Sequence, residues 1–239
     1  MIYDNVVVGT GFSALGCIIE LLNSNKKVLC IDKSNNLNPN KKIDDSLIYD
    51  KQNLPLKNSD VDEKTKTPFD PLKINESYSF GGLSNLWAGK STRFFPNEFE
   101  TWDIKYKDLE KFYDKCEKIL SVEHFNDLIS KELKLKNEIF NDKKLYIYSE
   151  FIKKMFSQRK EEKDFVYGYS RVAIDNRCYK CGNCYFGCSD SYIFKTKYYF
   201  KKLIDSKKID FENTLDLKEF ELKNNEIHLR FKNSNKNII

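Results

Sequence analysis

Four cysteines stand within eleven residues, CYKCGNCYFGC, from Cys178 to Cys188. Thiolates at this density can hold a metal, exchange disulfides or pack as small apolar groups. The spacing Cys-x2-Cys-x2-Cys-x3-Cys equals the run that binds a [4Fe–4S] cluster in bacterial ferredoxins. Gly182 and Gly187 relax the backbone between Cys178, Cys181, Cys184 and Cys188. In ferredoxins a proline follows the fourth cysteine, which serves a second cluster; here Ser189 follows and the sequence holds no second run. A single cluster would then take Cys188 itself, a distant thiol such as Cys116, or a three-cysteine arrangement. Zinc commonly uses two knuckles set further apart and ranks below iron–sulfur. Packed or redox-active thiols stand as the other alternative.

A second chemical signature opens the chain. The apolar, β-branched run Asn5 to Val8 breaks at Gly9-Thr10-Gly11-Phe12-Ser13-Ala14, and a helical pattern follows in Leu15, Ile18, Ile19 and Leu22. A second strand over Lys27 to Ile31 ends at Asp32, with Lys33 beyond it. Strand, G-x-G-x-x-A turn, helix, strand and acid form the arrangement of a dinucleotide-binding βαβ unit. Gly9 permits the tight turn, Gly11 lets backbone approach a pyrophosphate, and Ala14 lets helix lie against strand. The amides at the helix N-terminus face phosphate, and Asp32 accepts from ribose hydroxyls. A carboxylate there repels a 2′-phosphate, which disfavours NADP. The turn alone leaves FAD and NAD open.

These elements sit in a chain of 239 residues with 41 basic and 36 acidic side chains. The two signs are interspersed, so no basic face for nucleic acid is expected. No apolar run reaches the length of a membrane span. The N-terminus lacks the basic flank of a signal peptide, and a glycine turn interrupts it. The cytoplasm is the expected location, where seven cysteines are poor candidates for a disulfide framework.

Between the two signatures, residues 34–77 are rich in Asn, Lys and Asp and read as an irregular excursion. It ends at FGGLSNLWAGKSTRFFPNEFETW, where Gly81-Gly82 and Gly89 let main chain pass close to a ligand. In WDIKYKDLEKFYDKCEKIL, Leu109, Phe112, Tyr113, Cys116, Ile119 and Leu120 mark one apolar helical stripe, which makes Cys116 a core residue. Phe220, Leu222, a turn at Asn224-Asn225, and Ile227 to Phe231 predict a β-hairpin. The expected fold class is α/β, Rossmann-like at its start, with an inserted helical segment and a C-terminal β-meander.

Three stretches, VVVGTGFSA, GGLSNLWAG with Arg93 and Pro96, and WDIKYKDLEKFYDKCE, resemble the bacterial branch of the glucose–methanol–choline family of FAD-dependent oxidoreductases. Members of that branch also commonly carry a segment like CYKCGNCYFGC followed by a helix. The resemblance implies FAD, with its pyrophosphate on Gly9–Ala14, its ribose on Asp32 and the Gly81–Gly89 loop, including Ser84 and Trp87, along the flavin. Leu83 departs from the small or hydroxylated residue usual in the family. The implied activity is hydride transfer from a CH–OH donor, a small-molecule alcohol or sugar, to FAD; a cluster at Cys178–Cys188, if the cysteine spacing is read that way, would be the electron outlet.

Family enzymes are typically at least twice as long, and their second half supplies a substrate sheet and a catalytic histidine. Neither His124, in a loop setting, nor His228, beside Arg230 on a wet strand face, suits that role. The expectation is therefore an incomplete FAD-binding domain over 1–239, truncated and completed by a second polypeptide. Its parts are a βαβ unit at 1–33, the excursion at 34–77, the flavin loop and helix at 78–121, a variable insertion at 122–175, the Cys-rich loop and helix at 176–205, and the hairpin at 206–239. Without further strands, part of the Val6–Val8 and Val28–Ile31 surface is expected to lack cover. An electron-transfer module without its own alcohol site and a non-catalytic remnant are the competing functions.

Overall fold

The computed structural model describes residues 2–34, 79–123, 125, 127–135, 151, 154, 155, 166, 168–182, 184, 188, 190–235 and 238. Nearly all of the excursion expected at 34–77, and His124, lie outside them. The chain divides into two compact units, one combining Met1–Leu86 with Lys195–Ile239 and the other spanning Trp87–Phe194.

The first unit mixes helices with a parallel sheet and is α/β. Among its described residues β1 (Asn5–Val8), β2 (Val28–Ile31) and β3 (Asp210–Glu212) lie in the order β1-β2-β3. Both pairings are parallel, with Asn5 opposite Val28, Val8 opposite Ile31 and Leu29 opposite Asp210. Parallel neighbours need crossover connections. α1 (Phe12–Asn23) makes the first, burying Ala14, Leu15 and Ile18. α4 (Thr196–Asp205) leads into β3 and buries Phe200 and Leu203. Phe80 meets Phe200 and Phe211 edge-on, at centroid distances of 6.3 and 5.7 Å. The short strand β3 was not foreseen in the sequence, where 206–239 reads only as a hairpin.

That hairpin is present as β4 (Leu217–Lys223) and β5 (Glu226–Phe231), antiparallel. Asn224 and Asn225 join them with φ of 49° and 68°. Two successive left-handed residues make the tight turn whose twist matches that of a hairpin. At its base Leu229 and Phe231 pack with Leu29, Ile31, Leu215 and Ile238, flanked by Tyr3, Val6 and Leu217. For β2 this corrects the expectation that part of the sheet lacks cover; on β1 Val6 and Val7 are only half-buried and Val8 is exposed, as expected. Every residue of β2 is at most 2% exposed, because the hairpin base covers the face that Leu29 and Ile31 share. Burying each such side chain contributes about 1.5–3 kcal/mol. Among the described strands the exposed large apolar side chains are Val8 on β1 and Phe220, Leu222 and Ile227 toward the hairpin tip. Ile227 thus does not share the burial of Leu229 and Phe231, because the tip runs past the cluster that the base joins.

The second unit is held by two buried arginines. α2 (Tyr106–Leu120) follows a 3-10 turn at Pro96–Thr101, and α3 (Leu128–Glu132) follows Asp127. The expected stripe on α2 is displaced: Phe112 and Cys116 are exposed and Glu117 is buried. The reason is Arg93, whose guanidinium bonds Glu117 and, at 2.7 Å, Asp114. These partners rotate the carboxylate face inward and Cys116 outward. Phe94, Phe99, Trp102 and Tyr106 form a contiguous aromatic group beside this helix start. The run from Val172 to Ile174 bridges Lys90, Val122 and Ile193 in turn. No helix among the described residues is long and apolar enough to cross a membrane.

Arg171, 1% exposed, forks onto both oxygens of Asp127 at 2.6 and 2.8 Å and also donates to the Tyr169 carbonyl. Asp127 in turn accepts from the amides of Ser130 and Tyr169. Burial alone pushes the Asp127 carboxyl up, but Arg171 and these amides outweigh it and hold the carboxyl below the ordinary carboxylate range. A carboxyl depressed in the fold contributes stability that is present above its unfolded pKa, about 4, and is lost as pH falls through the folded value. Trp87 and Trp102, the two tryptophans of the chain, both lie in this unit, so their fluorescence reports its unfolding. Asp127→Ala should cost about 3–5 kcal/mol at neutral pH, by stranding a buried guanidinium. It should also flatten the loss of stability in acid. A variant with wild-type stability and acid profile would show that the pair carries no such load.

Candidate nucleotide site

The turn Gly9-Thr10-Gly11 stands where β1 hands over to α1. Gly9 has φ of 93°, a left-handed value that a side chain tolerates poorly, and its amide is held by the Ile31 carbonyl at 2.7 Å. The Cys30 thiol reaches the Gly9 carbonyl at 3.3 Å. Burial, and then the Asp32 charge, push that thiol up, so it stays protonated and able to donate. Gly11 caps α1 without any side-chain bond, and the first turn holds no acidic residue. A Cβ built on Gly9 or Gly11 would meet nothing within 4 Å among the described residues. The helix end, with its partial positive charge, therefore opens on space. Phe12 is half-buried and Ser13 exposed in this first turn, and Ala14 packs inward.

Thr10 is the hub of the site. Its hydroxyl donates to Asp32 Oδ2 at 2.6 Å and accepts the Gly81 amide at 2.8 Å. Asp32, 7% exposed, takes the Ser34 amide on its other oxygen at 2.7 Å. Each carboxylate oxygen keeps one lone pair beyond these bonds. Lys33 points elsewhere, to Asp216 at 3.4 Å.

The second glycine loop closes over the first. Gly81 and Gly82 have φ of 95° and 56°, and a Cβ on Gly82 would lie 3.7 Å from the Gly11 Cα. A Cβ on Gly81 would crowd Lys197 at 3.0 Å, so space as well as dihedral demands glycine there. Asn85 pins the loop, donating to the carbonyls of Phe80 and Gly82, while its buried Oδ1 has no hydrogen-bond partner among the described residues. Ser84, fully buried, spends its hydroxyl on the Gly81 carbonyl at 2.6 Å and is not turned outward. Leu83 is exposed.

Gly9 through Ala14, Asp32, Lys33, Gly81, Gly82 and Ser84 thus share the first unit, whereas Trp87 and Gly89 belong to the second. There Trp87 donates its indole N–H to the Phe194 carbonyl at 2.6 Å, and Gly89, with φ of 77°, packs on Ile193 and Ala173. Sequence reasoning missed Thr196, which bonds both glycine loops, and Asn85. A threonine opening a helix signals only a helix start.

The four clustered cysteines are in the second unit, each half-buried and none in a disulfide. Burial, then the neighbouring cysteines, push the Cys184 thiol up, so the four lie within electrostatic range of one another. The Cys178 sulfur accepts the Lys180 amide at 3.3 Å and Cys188 the Tyr192 amide at 3.2 Å. Lys180, with φ of 59°, anchors the loop through an ion pair to buried Glu123 at 3.1 Å. Among the described residues no three Cys, His, Asp or Glu side chains converge closely enough to hold a metal ion. The thiols are neighbours but not a closed ligand set.

Comparison with protein-family models and with curated proteins finds no match for the chain.

The geometry makes Asp32 an organiser of the turn. Asp32→Ala should destabilise the first unit by about 1–3 kcal/mol, because the Thr10 hydroxyl and the Ser34 amide lose a buried acceptor. Urea unfolding followed by far-ultraviolet circular dichroism reads the change; an unaltered midpoint would mean that the two donors find water instead.

Proposed function

We propose that this chain is the FAD-binding part of an oxidoreductase that acts on CH–OH donors, as its resemblance to the glucose–methanol–choline family implies. One observation carries the reading: two glycines beside which a Cβ would meet nothing within 4 Å among the described residues, set against a helix end with no side-chain cap. Space there fits a diphosphate, and a side chain would fill it. The order β1-β2-β3, with the turn at the C-terminal end of β1, agrees with one half of a Rossmann-like sheet.

In this reading the amides of Gly11, Phe12 and Ser13 bind the diphosphate. Asp32 uses its remaining lone pairs on the adenosine ribose, and the Gly81–Gly82 backbone shields the turn from water. FAD, when bound, supplies the acceptor for the hydride that leaves the alcohol carbon. The hydroxyl proton needs a base, and His228, beside Glu226 at 3.8 Å on the hairpin, is not placed in either glycine loop. A small-molecule alcohol or sugar as substrate completes the proposal.

Gly11→Val isolates the central claim. Its φ of −75° is ordinary and its Cβ meets nothing, so the fold should survive. The branched side chain would nonetheless occupy the space for phosphate. Wild-type protein should retain FAD through gel filtration and the variant should not, at unchanged circular dichroism. Equal FAD in both would refute the site.

The four cysteines add an iron–sulfur cluster to the proposal. Soft sulfur ligands and two amide-to-sulfur bonds suit it, although among the described residues the sulfurs do not close on a metal. Iron and sulfide analysis of anaerobically purified protein should find both, and Cys181→Ser should lose them. Iron at the same level in that variant would remove the cluster from the proposal and leave packed thiols.

A further inference from the structure

Four residues from three separate stretches of the chain form a closed ring of hydrogen bonds at the site. The Thr196 amide donates to Ser84 Oγ at 3.1 Å, and the Ser84 hydroxyl donates to the Gly81 carbonyl at 2.6 Å. The Gly81 amide donates to Thr10 Oγ1 at 2.8 Å, and the Thr196 hydroxyl returns to the Thr10 carbonyl at 2.7 Å. The Thr10 hydroxyl then donates to Asp32. Each donor in this arrangement has one acceptor and each hydroxyl uses its single hydrogen once. The contacts of Thr196 Oγ1 with Ser84 Oγ at 2.8 Å and the Gly81 carbonyl at 3.1 Å are the remaining close approaches.

Thr196 is 0% exposed and stands at the first residue of α4, where a helix leaves its amide without an intrahelical partner. Ser84 meets that need. The threonine side chain is then committed to the backbone of the Gly9–Gly11 turn. Holding the Thr10 carbonyl fixes the rotation of the Thr10–Gly11 peptide, and in a trans peptide this also fixes where the Gly11 N–H points.

We infer that Thr196 is a positioning residue for dinucleotide binding: from α4 it locks the two glycine loops to each other and sets the direction of the Gly11 amide. The inference rests on the FAD reading above and deepens it. Thr196 touches no phosphate; it acts through Thr10 and Gly81.

The test measures FAD affinity of the full chain well below its melting temperature, in wild type, Thr196→Val and Thr196→Ser. Valine keeps the shape and deletes the hydroxyl, so the dissociation constant should rise about tenfold or more, as expected for one lost orienting hydrogen bond. Serine restores the hydroxyl and should bring affinity back to within about threefold of wild type. A residue serving only stability would lower the melting temperature in both variants and leave cold FAD affinity alone. Equal affinity in wild type and Thr196→Val overturns the inference and leaves the FAD reading intact. Failure of wild type to take up FAD overturns both. Should Thr196→Val not fold, Ser84→Ala decides: weaker binding supports the ring, and wild-type affinity refutes it.

Discussion

The first unit depends on one side chain accepting and donating at once. Thr10 receives the Gly81 amide and donates to Asp32, out of reach of water. An oxygen in that position ties together the turn after the first strand, the acid after the second, and a loop 71 residues further along the chain. A hydrogen bond in such surroundings contributes about 1 kcal/mol net, but an unmet buried donor costs more. The network is therefore held together chiefly by the cost of breaking it. Thr196 and Ser84 extend the same logic to α4, so that every element around the turn is fixed by a polar contact as well as by packing.

The sheet beneath serves this arrangement. β2 is apolar throughout because it is covered on both faces, and its burial lets Gly9 take the Ile31 carbonyl in fixed register. The hairpin base completes that cover with Leu229 and Phe231. The second unit uses different means. Its arginines 93 and 171 are buried against carboxylates, and a buried ion pair is costly to leave half-made. The cysteine loop hangs on the same kind of contact through Lys180 and Glu123.

How far the sequence discloses this structure varies with the physics involved. The βαβ start was legible because period, glycine and acid all point the same way: β1 and β2 fall within a residue of their expected bounds, and α1 spans the apolar pattern from Leu15 to Leu22. The hairpin was legible from its two asparagines, whose left-handed tolerance marks the turn. Cys116 was misread because an apolar stripe cannot reveal that Arg93 would draw Glu117 inward instead. β3 escaped notice because three residues give no period. Thr196 escaped because its partners lie more than a hundred residues away, and nothing local distinguishes a threonine that clamps backbone from one that begins a helix.

The account stands on the space over Gly9 and Gly11 being a seat for diphosphate. A crystal structure of the chain grown with FAD tests this most directly. The account predicts phosphate oxygens against the amides of Gly11, Phe12 and Ser13, with Asp32 turned to a ribose. Electron density for FAD elsewhere, or a turn left bare at saturating FAD, would contradict it.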